Sequence, residues 1–360
     1  MKVLHAAHLP FWSGGVARQM KWEQEAADEL NLPWHSRIFL AADAAIPVNI
    51  DWPDVIVRAD HSRHQTLRFR RAYYDWLADV VENYDVIALR YSNYNPMQSW
   101  FLQTAKKPVY LIHHTLEVPE IRGLGTRLAP LKALAEEMLG PFNLSRAAGD
   151  ISVTKEIADY EVGRSQQSKK PSLIYPNGIS YSGSGKAALG KASPAPSLLF
   201  VASYFYSWHG ADLLIDEVAR STRDFKLHLV GNLNEPDRRK AQKDHRIVMH
   251  GQRNAEYIQS LASECWAGLS SFALDRKEMS QACTLKVRES LRMGLPVYSG
   301  HEDVFPADFP YYRRGACDVD AILEFAAKAA GDRGELISEA SRPYIDKSQL
   351  VEQIYRQLAG

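Results

Sequence analysis

The chain has 360 residues, more than one hydrophobic core usually holds, which sets a prior of roughly two domains. A composition of 46% hydrophobic and 24% charged residues excludes a disordered chain, and 21 Gly with 18 Pro exclude a collagen-like or low-complexity one. Lys plus Arg number 43 and Asp plus Glu 43, so the net charge is zero, which excludes a general nucleic-acid binder drawing its affinity from phosphate neutralisation.

In chain order, residues 2–6 (KVLHA) read as a strand, followed by a Gly-containing loop and a helix over 16–30. Apolar runs at 36–41, 86–89, 109–112 and 151–153 predict further strands, with helical patterns at 68–82 and 131–139 between them. Residues 176–196 (PNGISYSGSGKAALGKASPAP) have linker composition. The alternation then restarts, with strands predicted at 198–201, 226–230, 247–250, 268–271 and 296–299. Helices are predicted at 212–221, 284–293 and 348–358. Strands alternating with helices imply parallel sheets. Two doubly wound α/β domains facing a central cleft, with a ligand at the carboxyl ends of both sheets, account for the pattern most simply.

The N-terminus MKVLHAAHLPFW is broken by His5, His8 and Pro10 and does not make a secretory signal. No apolar run approaches the about 18 residues a membrane span needs. Cys265, Cys283 and Cys317 are too few and too scattered for a disulfide framework or a zinc site. A soluble cytoplasmic protein is expected.

Three motifs resemble chemistry and read better as structure. Gly-Ser-Gly-Lys at 183–186 lacks the first Gly and the final Ser or Thr of a phosphate loop, and lies in the linker. Asp318-Val319-Asp320 precedes an apolar helical run, so Asp318 is read as a helix cap rather than a metal ligand. His61 and His64 lack a third ligand at useful spacing. No G-x-G-x-x-G follows the first strand, which argues against a dinucleotide dehydrogenase.

Four segments remain. Ser13-Gly14-Gly15-Val16 lies between the first strand and its helix, where glycines let amides approach a phosphate or sugar. His113-His114 follows the strand VYLI, at the cleft edge of a buried sheet. Tyr175-Pro176-Asn177-Gly178-Ile179 makes a sharp turn at the domain junction. Residues 278–300 (EMSQACTLKVRESLRMGLPVYSG) set a small, polar loop before a helix capped by Thr284 and ended by Gly294 and Pro296. Amides at that helix N-terminus suit a diphosphate, and a carboxylate further along suits two ribose hydroxyls.

Together with Leu229-Val230-Gly231, His250-Gly251 and the segment from Glu289 through Gly294-Leu295-Pro296-Val297, these motifs resemble glycosyltransferase family 4 over essentially the whole chain. These are retaining GT-B glycosyltransferases that use nucleotide sugars. The resemblance implies two Rossmann-like domains: 1–176 on the acceptor side, a linker at 177–196, a nucleotide-sugar domain at 197–343, and a C-terminal helix at 344–360 returning to the first domain. It implies that Gly14 and Gly15 lie beside the donor phosphate and that His114 contacts the donor sugar. Glu289, second glutamate of the family's Glu-x7-Glu, would bind ribose. Ala282, Cys283 and Thr284 would give N–H groups to the diphosphate, and Arg253 would lie along the base.

Two departures stand out. Eight positions before Glu289 is Gln281, which hydrogen-bonds a hydroxyl without supplying charge. Where the family has an Arg and a Lys for the diphosphate, this chain has Ser203 and His209. His209, with Lys286 or Lys277, is expected to replace those cations, provided its pKa is raised. Trp208 beside it is expected to pack against the acceptor, at the domain interface or within the core. No cofactor and no metal are expected, and no dedicated nucleophile, because retention in the family is thought to proceed by front-face attack with the leaving phosphate as base.

The expected partners are a nucleotide sugar, a glycan or lipid-linked saccharide acceptor in surface polysaccharide synthesis, and an anionic membrane surface, with no nucleic acid. The membrane expectation rests on the basic stretch 58–71 and on Arg122, Arg127 and Lys132 among apolar residues; a solvated helix face is the alternative reading. The alternatives to the transferase are a non-catalytic or weakly active homologue acting as a partner subunit, and a GT-B-like sugar-nucleotide epimerase.

Overall fold

Apolar runs that lack polar alternation are what strands buried on both faces require, and here they assemble two parallel sheets. The structure, a computed structural model, describes residues 1–123, 125–165, 169–182, 194–332 and 334–360. The chain divides into two units: Met1–Ser180 with Lys347–Gly360 (unit 1), and Tyr181–Asp346 (unit 2).

Unit 1 holds β1 (Val3–Leu9), β2 (Trp34–Leu40), β3 (Ile56–Arg58), β4 (Val86–Arg90), β5 (Val109–His113), β6 (Gly149–Ser152) and β7 (Ser172–Ile174). They run parallel in the order β3-β2-β1-β4-β5-β6-β7. Leu4, Ala6, Ile87, Leu89 and Leu111 are fully buried in its core. The order reverses between β1 and β4, so the crevice beyond their carboxyl ends is the topological switch point, where open parallel sheets bind ligands.

Unit 2 holds β8 (Ser197–Tyr204), β9 (Lys226–Asn232), β10 (Ile247–Gly251), β11 (Ala267–Leu269), β12 (Val297–Ser299) and β13 (Tyr312–Arg314). These are parallel in the order β10-β9-β8-β11-β12-β13, which places the switch point between β8 and β11. Gly231 near the end of β9 has φ +130°, and a Cβ there would meet the Ala202 carbonyl oxygen at 1.5 Å. Only glycine lets the two chains pass at that edge.

Every predicted strand is present with ends shifted by a few residues. The additions β3, β7 and β13 are three-residue strands at or beside sheet edges, too short and too polar to leave an apolar run. The helix predicted at 131–139 runs Ala129–Arg146, continuing through Pro141. Asp318 caps the helix Val319–Ala329, its carboxylate accepting from the Ala321 N–H at 2.7 Å. Most of the linker, including the Gly-Ser-Gly-Lys of 183–186, lies outside the described residues.

The last helix, Lys347–Ala359, belongs to unit 1 and packs on the helix Gly14–Glu29, with Leu350, Val351 and Ile354 buried against Val3, Ala27 and Trp34. No helix among the described residues is long and apolar enough to cross a membrane.

Candidate functional site

The expected site residues divide between the carboxyl edges of the two sheets, and each edge is built by its own unit.

In unit 1, Gly14 and Gly15 open the helix that follows β1. Ser13 at its N-cap makes no side-chain cap, so no side chain closes the first turn. Neither glycine has a positive φ, and a Cβ at Gly14 would meet only Trp12 Nε1, at 3.7 Å. The turn does not require glycine at 14; the residue leaves the helix N-terminus uncovered.

The two histidines after VYLI have different fates. His113, the last residue of β5, is fully buried, bonded through Nδ1 to Glu117 Oε1 at 2.7 Å and stacked on Tyr91. His114 keeps a buried Nε2 with no hydrogen-bond partner. Burial, reinforced by the nearby Arg90 charge, holds His114 well below the usual imidazole range, so it is neutral.

Among the described residues one group has the spacing of metal ligands: His113, Glu117 and Glu161, with ligand atoms within 4.8 Å of one another. Its charge is already met. Burial would raise Glu117, but His113 overrides it and holds the carboxyl at about 2. Burial and the Glu117 charge push Glu161 well up, so Glu117 is the ionised carboxyl of the two, and Arg164 stands 3.2 Å from Glu161 and 3.0 Å from Glu136.

In unit 2, His209 sits at the switch point. The loop after β8 carries it, and the loop after β11 holds it: Phe272 N–H donates to the His209 carbonyl at 2.9 Å. Lys286 Nζ lies 3.0 Å from His209 Nε2, with Lys286 in the first turn of the helix Leu285–Arg292. Tyr206 N–H donates to His209 Nδ1 at 3.0 Å. A neutral imidazole has one acceptor nitrogen, so these two contacts compete for it. Thr284 makes no side-chain cap at this helix start, its hydroxyl lying 3.4 Å from Ser270 Oγ.

The electrostatics assign the charge. Burial, then the cations Lys286 and Lys277, lower His209 to about 3. This corrects the sequence expectation: His209 is neutral, because a cation cannot be added beside another in a dry site. Lys286 carries the charge, although burial, partly offset by Glu289, lowers it to about 8.

No protein family matches the sequence, and no curated protein matches it. Solved structures do. The chain is similar to sucrose-phosphate synthase from Thermosynechococcus elongatus, with TM-score 0.66 and 16% identity over 100% of this chain and 99% of that one. It is similar to the lipopolysaccharide outer core galactosyltransferase WaaB, with TM-score 0.64 and 12% identity over 100% and 99%. It is also similar to Anabaena Alr3699/HepE solved in complex with UDP, with TM-score 0.64 and 15% identity over 100% of both chains. The fold is GT-B.

Within this GT-B chain the remaining expected residues are placed as follows. Ser203 is exposed at the end of β8, and Gln252 donates to its carbonyl at 3.4 Å, which brings the 251–254 loop beside it. Arg253 lies over the Tyr257 ring, 4.9 Å from its centroid. The Ala282 N–H donates to the Glu302 carbonyl at 2.9 Å, so it is spent within the loop and not offered to a diphosphate, a second correction. Cys283 is buried, and Thr284 and Glu289 are half-buried.

Sequence spacing missed Glu302. Its backbone pairs with Gln281, and its carboxylate accepts from the Gln281 amide at 3.2 Å while Arg314 pairs with it from the other side. A carboxylate therefore does stand beside position 281, contributed by the loop after β12 rather than by the helix. No spacing rule within residues 278–289 finds it.

Proposed function

We propose that the protein is a retaining family 4 glycosyltransferase that moves a hexose-type sugar from a nucleoside diphosphate donor to a glycan or lipid-linked glycan acceptor. It would act without a metal ion, in surface polysaccharide synthesis. The observation that carries this reading is Lys286: one half-buried ammonium, at a helix N-terminus without a side-chain cap, at the switch point of unit 2. As the bond from the anomeric carbon to the β-phosphate breaks, negative charge grows on the diphosphate. An ammonium and helix-terminal amides stabilise that charge without a metal. The acceptor hydroxyl passes its proton to the departing phosphate oxygen, so no protein nucleophile is needed. In this reading neutral His114 offers its unpartnered nitrogen to a sugar hydroxyl, Glu289 takes ribose, Arg253 lies along the base, and Glu302 with Gln281 orients the donor sugar. Gly14 and Gly15 give the donor phosphate an uncovered helix terminus.

A thermal-shift screen against UDP, GDP, dTDP, CMP and their sugar conjugates, with and without magnesium, tests it. One nucleotide series is expected to stabilise the protein regardless of metal, by about 2.7 kcal/mol at a hundredfold excess over its dissociation constant. If no nucleotide moves the midpoint, the reading fails and a partner-subunit homologue takes its place.

A membrane surface fits one face of unit 1. Leu128, Leu131, Leu134 and Met138 recur at three- and four-residue spacing in and just before the helix Ala129–Arg146, each more than half exposed, with Arg127 exposed beside them. An apolar row edged by a cation suits the headgroup boundary of an anionic leaflet. Co-sedimentation with phosphatidylglycerol vesicles is expected, and Leu131→Asp with Met138→Asp should lower the vesicle partition constant about a hundredfold or more, two buried side chains being worth roughly 3 kcal/mol or more. Equal pelleting of the double variant would leave the face as a solvated one.

A further inference from the structure

The switch point of unit 1 holds charges that the donor chemistry above does not use. Arg90 ends β4 and His8 lies near the end of the adjacent β1, so both face the crevice where the strand order reverses. His8 Nε2 is 3.0 Å from Ser92 Oγ, which ties the two strand ends together, and His8 Nδ1 is buried without a partner. Two further half-buried cations border the loop after β4: Arg70 lies 5.8 Å and Lys132 5.6 Å from the centroid of the Tyr94 ring. Among the described residues, none of Arg70, Arg90 and Lys132 forms an ion pair or donates a hydrogen bond. Glu120 and Glu117 are the carboxylates felt by Arg90; Glu117 is already bonded to His113.

A half-buried guanidinium with no acceptor is costly to keep, because its donors give up water and receive nothing in return. Burial lowers even Arg90, to about 10, and burial reinforced by the Arg70 and Arg90 charges holds His8 near 3, so His8 is a neutral partner beside the guanidiniums. The loop that these groups border is held in a tense form. Tyr94 has φ +42°, which a bulky side chain adopts rarely, and its N–H is held by the buried Glu136 at 2.6 Å. Three cations around one rigid loop match a phosphate, whose oxygens take the Arg fork two at a time.

We propose that this crevice binds a phosphate group carried by the acceptor. The proposal rests on the glycosyltransferase reading for the word acceptor; the anion site itself stands on Arg90, Arg70, Lys132, His8 and Ser92. A soluble sugar phosphate and a lipid-linked phosphate present the same chemistry to it.

The test uses full-length protein with saturating UDP, so that the donor's phosphate contacts, those at Gly14 and Gly15 included, are filled, and follows glucose 6-phosphate and glucose by NMR titration. Glucose 6-phosphate is expected to bind about tenfold or more tightly than glucose, and Arg90→Gln to remove that advantage while leaving UDP affinity unchanged. Arg70→Gln, on a more exposed helix, should weaken glucose 6-phosphate severalfold and guards against a folding defect at Arg90. Pelleting with phosphatidylcholine vesicles carrying farnesyl phosphate, lost in Arg90→Gln, would identify the lipid-linked source. Equal binding of glucose and its phosphate, or unchanged phosphate binding in both variants, overturns the proposal. So does an Arg90→Gln variant that loses UDP as strongly as glucose 6-phosphate, since the crevice would then serve the donor. Failure of wild-type protein to bind any nucleotide is a separate result, and counts against the transferase reading alone.

Discussion

Lys286→Ala is expected to weaken nucleoside diphosphate binding about a hundredfold, roughly 2.7 kcal/mol, as for a hydrogen-bonded charge lost from a dry site. The size follows from what remains: Ser203 is uncharged, His209 is neutral, and Lys277, the other cation felt by His209, lies over the Trp208 ring rather than against His209 Nε2. The pH dependence separates this role from a structural one. Burial lowers Lys286 to about 8, so the empty site holds the ammonium below that pH and loses it above. Nucleotide affinity should be flat below about pH 8 and fall up to tenfold per pH unit above it, until the complex itself deprotonates. Lys286→Arg keeps its charge at high pH, so its affinity should stay flat to pH 10. His209→Ala is expected to cost about tenfold, because His209 only positions the amine. Affinity unchanged in both His209→Ala and Lys286→Ala would end the assignment.

How the sequence carried this much is clear from single residues. The apolar strands were legible because strands buried on both faces leave uninterrupted runs, and VIAL and VYLI have no other use. Position at a strand end located His114 but could not separate it from His113; only packing shows that Glu117 engages the His113 ring, while both rings keep a buried Nε2 without a partner. Arg90 was hidden because the apolar run stops at Leu89, while the strand continues one residue further to place the guanidinium at the crevice. Whether His209 meets the condition of a raised pKa is hidden from the sequence for an equally local reason. Sequence gives a histidine's identity but not its dryness, and dryness with Lys286 3.0 Å away decides its charge. Glu302 was beyond reach altogether, since its pairing with Gln281 is a property of two loops brought together by the sheet.

Glu23→Gln is expected to destabilise unit 1 by about 3–5 kcal/mol, the range for removing one partner from a buried charged network. Glu23 is fully buried within the helix Gly14–Glu29, and its carboxylate is the hub of the unit. Oε1 accepts from Trp34 Nε1 at 2.6 Å and Ser36 Oγ at 2.8 Å and contacts His5 Nδ1 at 2.7 Å; Oε2 accepts from Tyr175 Oη at 2.8 Å. Lys347 Nζ donates to that same Tyr175 oxygen at 3.4 Å, at the start of the C-terminal helix. An amide keeps one acceptor oxygen and turns two donors toward groups that already donate. Burial alone would raise Glu23, but His5, Lys347 and the Ser36 hydroxyl outweigh it and hold the carboxyl at about 2, against 4.5 when free. The folded value is the lower one. The stabilisation is therefore fully present above about pH 4.5 and is lost as pH falls through about 2. Urea unfolding of the wild type should show that loss between pH 4.5 and 2, whereas Glu23→Gln should lack this component and show a melting temperature about 10 °C lower at pH 7. Because Tyr175 and Lys347 lie on the two segments the hub joins, the variant should also be cleaved faster by protease near residues 346–347. A variant that melts within a degree of the wild type and resists cleavage equally would show that apolar packing of Leu350, Val351 and Ile354 holds the last helix without the charged hub.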